Sequence, residues 1–395
     1  MRNESVAILD IRSFELTFFL GSKGVNDTFV FHGSHTQAYD GYTADGFLGD
    51  EENLQKAVET AVTSVCKNFD GVIKEVYVGV PSAFIQVATK GHTISFPAKR
   101  KLCNQDVQAL YESGLNELLT NKRCVYRSAM YFTLGDNRKY YDVNGLYGVP
   151  TTLLQGALCY YLIDESFDRL LTDILTGLGF EKVTFLPLSL AQTRYLLPQK
   201  RREGYAVLLD VGFMSSTVSV LYGDGIVHEE TIDFGVGAVL VDIAEKLGVT
   251  MEIAQEILEV ANVSDGLVPE DLLWTRERGD CSVPVNEINA VVKDSLDVLC
   301  EGVQTFFQKY YEGKDKTVFA VNPISVTGEG VTAIAGLPER LASRLNHLTE
   351  PVYPYLPYYD KPNRSSRISL LNMAIAERKK VGFLQILFRK LGGKN

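Results

Sequence analysis

The chain has 395 residues, with 39 Lys and Arg against 49 Asp and Glu, giving a formal net charge of −10. Its 46% hydrophobic and 22% charged residues are ordinary globular composition, and the length exceeds one comfortable core, which predicts two or more domains. The acidic balance argues against a general nucleic-acid binder, which needs a basic surface. Six scattered cysteines (Cys66, Cys103, Cys124, Cys159, Cys281, Cys300) without a C-x-x-C spacing argue against structural zinc and a disulfide framework.

The first apolar run, Val6 to Leu9, is stopped by Asp10 and is too short for a signal peptide. No stretch approaches the ~18 apolar residues that cross a bilayer. A cytoplasmic protein with reduced thiols is the expectation.

In chain order, buried strands are predicted at Val6–Asp10, Glu15–Gly21 and Thr28–Phe31. A helix from Glu51 to Phe69 follows, with Leu54, Val58, Ala61, Val62 and Val65 at helical spacing. Val76–Val80 reads as another buried strand. Residues 84–162 change character: half-exposed strands at Ile85–Ala88 and His92–Phe96, a helix capped by Asn104 and running to about Leu119, and strands near Val125–Leu134 and Thr151–Leu162. This stretch reads as an inserted α+β subdomain. A helix at Phe167–Leu178, a strand at Val183–Pro187 and a helix at Leu188–Leu196 lead to a polar break at Pro198–Glu203, the predicted domain boundary.

The second half then begins as the first did. Leu208-Leu209-Asp210-Val211 echoes Ile8-Leu9-Asp10-Ile11 two hundred residues earlier, and each is followed by a hairpin and a third strand. Two similar halves are the economical explanation. A helix near Gly237–Leu247 comes next. Later, the strand Ile324–Thr327 enters a Gly328-Glu329-Gly330 turn before a helix predicted from Val331 to Leu345.

A strand ending in Asp and followed by a tight hairpin can serve phosphate chemistry. The carboxylate can hold hydrated Mg²⁺, while backbone N–H groups and hydroxyls of the turn meet phosphate oxygens. Asp10 and Asp210 alone could equally be strand ends. Near the C-terminus, Arg378–Asn395 carries six Lys and Arg and no acid, against 33 basic and 49 acidic residues before it. Leu384, Leu387, Phe388 and Leu391 follow i, i+3, i+4, i+7, widened by Phe383 and Ile386. That describes either an in-plane membrane helix or a terminal helix docked on the protein's own core. The run Tyr353–Tyr359 reads as a covered strand and loop.

The order of Asp10 hairpin, Asp210 hairpin and Gly328-x-Gly330 turn resembles the actin/Hsp70-like ATPase fold, and sharpens to a resemblance to the FtsA family of bacterial cell-division proteins. It covers nearly the whole chain. Val76-Tyr77-Val78-Gly79-Val80-Pro81-Ser82 resembles the entry to the SHS2 (1C) subdomain of that family. Gly145-Leu146-Tyr147-Gly148 resembles a glycine stretch within it, and Gly235-x-Gly237 the entry to subdomain 2B. The basic amphipathic terminus resembles that family's membrane helix.

The resemblance implies an α/β, actin-like two-lobed fold with duplicated ribonuclease-H-like domains and an inserted SHS2 subdomain. It divides the chain into domain 1A (1–83 and 163–199), 1C (84–162), 2A (200–236 and 296–377), 2B (237–295) and a membrane-targeting helix (378–395). It implies ATP with Mg²⁺ as cofactor, the metal held through nucleotide by Asp10 and Asp210. The nucleotide site would comprise Asp10, Arg12, Ser13, Asp210, Gly212, Ser215, Gly235, Gly237, Gly328, Glu329 and Gly330. Lys379, Lys380, Phe383, Leu384, Leu387, Phe388, Arg389, Lys390 and Leu391 would bind an anionic membrane surface. The implied partners are an FtsZ-like filament protein, divisome proteins and a self-polymer, with no nucleic acid, at the cytoplasmic face of the cytoplasmic membrane. The PilM family of type IV pilus proteins shares the SHS2 insertion and is the alternative.

The sequence departs from the family pattern at the phosphate loops. Asp10-Ile11-Arg12 stands where Asp-x-Gly is usual, and Asp210-Val211-Gly212-Phe213-Met214-Ser215 replaces two of three loop glycines with large apolar residues. The Ala254-Gln255-Glu256-Ile257-Leu258 stretch lacks the family's lysine, and Glu329 replaces a glycine. These departures predict weakened or lost nucleotide binding, no efficient hydrolysis and no catalytic residue. An organisational task follows from them; an active ATPase of this fold is the remaining alternative.

Overall fold

The computed structural model describes residues 5–26, 28–115, 121–136, 138–264, 266, 269, 271–311 and 322–392, with side chains as far as Lys379. The first half begins with β1 (Val6–Ile11), β2 (Glu15–Lys23) and β3 (Phe29–Ala38), then helix α1 (Glu51–Cys66) and β4 (Glu75–Val80). The insertion follows: β5 (Ile85–Lys101), α2 (Asn104–Ser113), β6 (Lys122–Leu134), β7 (Lys139–Tyr140) and β8 (Pro150–Asp164). The chain returns through α3 (Glu165–Gly177), β9 (Lys182–Pro187), α4 (Leu188–Leu196) and the short α5 (Gln199–Arg202).

The second half repeats the scheme with β10 (Tyr205–Val211), β11 (Ser216–Tyr222), β12 (Gly225–Ile232), α6 (Val236–Leu247) and α7 (Met251–Leu258). A small hairpin, β13 (Leu273–Thr275) and β14 (Ser282–Pro284), precedes the long α8 (Val285–Tyr311). Last come β15 (Ile324–Thr327), α9 (Glu329–Ala333), α10 (Leu337–Leu345), β16 (Thr349–Pro351) and α11 (Ser365–Gly392).

The two main sheets have the same topology. Their orders are β3-β2-β1-β4-β9 and β12-β11-β10-β15-β16. In each, a three-stranded antiparallel meander joins two parallel strands. Asp10 pairs with Thr17 and Asp210 with Thr217, so the two aspartates occupy equivalent register positions.

Strand periodicity decides where those aspartates point. Side chains alternate between faces. Ala7, Leu9 and Ile11 pack with α1 and α3 in one core, while Val6 and Ile8 belong to a second core on the opposite face with Leu188, Leu190 and Leu371. Asp10 follows Val6 and Ile8 by the same alternation. Likewise Val207, Leu209 and Val211 join the helical core of the second half, leaving Leu208 and Asp210 on the other face. Both carboxylates therefore turn into the space between the halves.

The insertion is a four-stranded sheet, β5-β8-β6-β7, with its own core around Leu110, Phe132, Leu154 and Leu158. β5 is one 17-residue strand where the sequence suggested two, because Thr89, Lys90 and Gly91 stay in register with Cys159, Leu158 and Ala157 of β8. Cys103, not Asn104, is the N-cap of α2; Asp106 at the third helical position accepts from the Cys103 N–H at 2.9 Å. The predicted end of that helix at Leu119 lies outside the described residues.

The helix expected over Val331–Leu345 is two helices, α9 and α10. Gly336 has φ +83° and caps the new helix, whose second residue, Pro338, lies in the first turn where its N–H is not needed. The Tyr353–Tyr359 stretch is not covered throughout: Tyr355 is 90% and Tyr358 95% exposed. Its prolines break any regular pairing.

The last helix differs most from expectation. The sequence suggested a separate segment from Arg378, with residues to 377 grouped with the second half. Instead α11 is one helix of 28 residues. Its buried side chains Leu370, Leu371, Met373 and Ala374 pack on the first sheet, with Val6, Ile8, Phe19 and Tyr77. The packing is close: a Cβ on Gly21 would lie 2.8 Å from Leu371, and one on Gly79 would lie 2.4 Å from Leu370. Small residues on the sheet thus let the helix approach.

Candidate functional site

The two hairpin turns that follow Asp10 and Asp210 touch directly. Arg12 Nη1 donates to Asp210 Oδ2 at 2.6 Å, and Nη2 donates to Oδ1 at 3.1 Å. This bidentate pair joins residues 198 apart in sequence and matches the planar fork of guanidinium to carboxylate. The Met214 N–H donates to Ser13 Oγ at 3.1 Å. Phe14 stacks on Phe213 with ring centroids 4.6 Å apart. Tyr39 Oη donates to the Arg12 carbonyl at 2.7 Å and fixes the first turn from behind.

Beneath this contact lies the start of α11. Ser366 Oγ donates to Asp10 Oδ2 at 2.6 Å. Gln192 Nε2, from α4, donates to Asp210 Oδ2 at 2.9 Å and also lies 3.2 Å from Ser365 Oγ. Asp10 Oδ1 is buried with no hydrogen-bond partner among the described residues.

The electrostatics differ between the two aspartates. Burial pushes Asp10 above the usual carboxylate range, and the charges of Arg12 and Arg367 with the Ser366 hydrogen bond only partly oppose it. Burial acts on Asp210 in the same direction. There the charge and hydrogen bonds of Arg12, with the Gln192 amide, outweigh it and hold the carboxyl low. Burial would lower Arg12, but Asp210 more than compensates and keeps it charged. Glu329 is pushed up by burial.

The glycines expected to cradle phosphate are used for packing. A Cβ on Gly328 (φ +97°) would lie 2.2 Å from Asp210 Oδ1, and one on Gly330 would lie 2.3 Å from Val211. Those two glycines let the β15–α9 turn press against the end of β10. A Cβ on Gly235 would lie 2.3 Å from the Phe213 carbonyl. The Val236 and Gly237 N–H groups at the start of α6 donate to the Gly212 and Phe213 carbonyls at 3.1 and 2.8 Å.

Between the halves a cavity of about 20 Å³ remains, bordered by Arg12, Ser13, Asp210 and Ser215. That holds about one water, whereas small-molecule sites run to roughly 300–1,000 Å³. With Asp210 taken by Arg12 and the amides at the α6 start taken by loop carbonyls, these residues do not fit Mg²⁺ with a nucleotide. The implied metal role of Asp10 and Asp210 meets the same obstacle, and among the described residues no group of three His, Cys, Asp or Glu side chains could hold a metal ion.

A second buried acid sits nearby. Glu229 of β12 accepts from Ser189 Oγ at 2.6 Å, and the Ser82 and Ser219 hydroxyls act with Ser189 against the burial that raises it. Its Oε1 has no partner among the described residues, and burial raises its pKa to about 7. Ser82 and Ser189 belong to the first half, Ser219 and Glu229 to the second.

Sequence reasoning missed Gln192, Ser365, Ser366, Phe14 and Glu229. Only the two serines before an apolar helical run carried a local signal, that of a helix start. Of the residues expected to bind membrane, Lys379 is exposed. Lys380, Phe383, Leu384, Leu387, Phe388, Arg389, Lys390 and Leu391 fall on the α11 backbone, and their side chains lie outside the described residues. No helix among the described residues is long and apolar enough to cross a membrane.

Two ribonuclease-H-like sheets, each offering an Asp hairpin to a shared cleft, define the class: the chain has the actin-like two-lobed fold. No family model matches it. FtsA from Streptococcus pneumoniae serotype 2 (strain D39 / NCTC 7466) is 23% identical over 224 residues, which span 53% of this chain and 46% of that protein. Among solved structures, a PilM–PilN type IV pilus biogenesis complex matches with TM-score 0.60 and 12% identity, over 94% of this chain and 98% of that one. MreB5 of Spiroplasma citri bound to AMPPNP matches with TM-score 0.55 and 10% identity, over 96% and 99% of the two chains.

Proposed function

We propose that the chain is an FtsA-like peripheral tether. It would hold an FtsZ-like filament on the cytoplasmic face of the cytoplasmic membrane, using an actin-like scaffold that does not hydrolyse nucleotide. The observation that carries this reading is α11. Its first half is buried on the β1 sheet, and its base is fixed by Tyr126 Oη donating to Glu377 Oε1 at 2.7 Å and Arg378 Nη1 donating to the Ser5 carbonyl at 2.7 Å. The same helix runs on to Gly392. Its 28 residues measure about 42 Å at 1.5 Å per residue. The apolar stripe and basic residues of Lys379–Leu391 thus belong to a helix whose other end is seated in the cleft. Basic residues flanking bulky apolar ones suit an anionic interface, each Lys or Arg adding ~1 kcal/mol of attraction. The match to FtsA supports the cell-division assignment, in which the insertion and the α6–β14 region offer surfaces to partner proteins and copies of the chain stack head to tail.

A PilM-like platform of a pilus machine is the second reading, favoured by the structural match over 94% of the chain. Vesicle co-sedimentation separates the two. Under the tether reading, the full chain pellets with anionic vesicles, salt weakens the binding, and a chain ending at Lys379 stays in solution. If both forms stay in solution, the tether reading falls and the pilus platform takes its place.

A further inference from the structure

We propose that Arg12 is a built-in replacement for a bridging ligand: its guanidinium links the two Asp hairpins, so the lobes are held closed with no nucleotide bound. This rests on the fold alone and is independent of the choice between tether and pilus platform. Three observations carry it. The first is charge: Asp210 is engaged on both oxygens by Arg12, and the same cation partly offsets the burial that raises Asp10 and Glu329. A bound phosphate would have to displace that cation from its carboxylate.

The second is donor supply. A phosphate needs free N–H groups at such turns. The Arg12 N–H is committed to Glu15 O at 2.9 Å, Gly212 to Ser215 O at 3.1 Å, and Met214 to Ser13 Oγ at 3.1 Å. Val236 and Gly237 are committed to the second loop's own carbonyls. The third is space: Phe14 on Phe213 covers the contact, and about 20 Å³ is left beneath it. Phe213 replaces a loop glycine of the family pattern, so the substitution that removes a phosphate contact also supplies one face of the seal.

The test uses the full chain, thermal melting with and without millimolar Mg-ATP, and small-angle X-ray scattering. Wild-type protein is expected to melt within about 1 °C of the same temperature in both conditions, since a ligand well above its Kd shifts Tm measurably. Arg12→Ala is expected to lower Tm by about 5 °C or more and to raise the radius of gyration. If Arg12→Ala does not fold, Arg12→Lys keeps the charge without the fork and should give a smaller shift in the same direction. A Mg-ATP-dependent rise in wild-type Tm that Mg²⁺ alone does not produce overturns the proposal. So does a radius of gyration unchanged in a folded Arg12 variant. Vesicle binding reports on the tether reading alone, so the two can fail separately.

Discussion

The first and second hairpins are copies that no longer do the same thing. Each follows a strand ending in a buried Asp, and each closes with the same turn, Arg12 N–H to Glu15 O and Gly212 N–H to Ser215 O. The residue after the turn's entry differs: arginine in one, glycine in the other. Arg12 sends its charge across the cleft. Gly212 lets its own turn close tightly, since a Cβ there would lie 2.6 Å from Ser215 O. Two turns of equivalent topology thus make an asymmetric pair that hold each other. Duplication supplied the geometry, and divergence at single positions supplied the complementarity.

The same asymmetry runs through the aspartates, and mutation can break it. The largest effect is expected from Asp210→Ala, which leaves the Arg12 guanidinium in a closed cleft without its counter-charge. Losing one partner of a buried pair costs about 3–5 kcal/mol, and urea denaturation would measure it.

Next comes Glu229, where proton linkage fixes the sign. Its folded pKa of about 7 lies above its ordinary value of 4.5. The folded state therefore holds a proton that the unfolded state has released across that window, and stability falls as pH rises through it, by at most ~1.4 kcal/mol per unit. The contribution is full below about pH 4.5 and gone above about pH 7. Asp10 is shifted the same way, so Glu229→Gln should flatten the profile without levelling it and should stabilise the protein at pH 8. On the same strand, Glu230 is paired with Lys309 at 2.7 Å, and His228 stacks on Tyr310. From the packed insertion Tyr161 is the titratable neighbour, and it stays neutral there. A profile unchanged by Glu229→Gln would remove this acid from the account.

The smallest effect is expected at Asp10→Asn. Burial already favours the neutral acid, and the amide oxygen can still accept from Ser366, so a loss of about 1 kcal/mol or less is expected. If Asp10→Asn were as damaging as Asp210→Ala, the two hairpins would not have diverged in the way described.

Much of this architecture was legible because it rests on local periodicity. The apolar runs ending in Asp, Val6–Asp10 and Ala206–Asp210, pointed to both sheets' central strands, while the face each aspartate takes shows only in the packing. The spacing in Leu54–Val65 gave α1. The chain order of the two hairpins and the glycine turn pointed to the fold. What stayed hidden was non-local. Nothing near Arg12 says that its partner is 198 residues away; the clue was the loss of a loop glycine in one copy while the other copy kept its acid. Nothing near Leu370 and Leu371 says that they cap the first sheet rather than the second. That pairing depends on Gly21 and Gly79, which read locally as ordinary strand glycines. The exposed tyrosines after Pro351 were hidden for the opposite reason: apolar composition suggested burial, while prolines prevented the regular structure that burial needs.

The most direct measurement of the central claim is a double-mutant cycle on Arg12→Ala and Asp210→Ala in the full chain, read by urea denaturation without nucleotide. A latch between the hairpins predicts strong coupling, about 1.5–3 kcal/mol for a charge-assisted bidentate bond, with the double variant far less damaged than the two losses added together. Simple additivity, with coupling near zero, would contradict it.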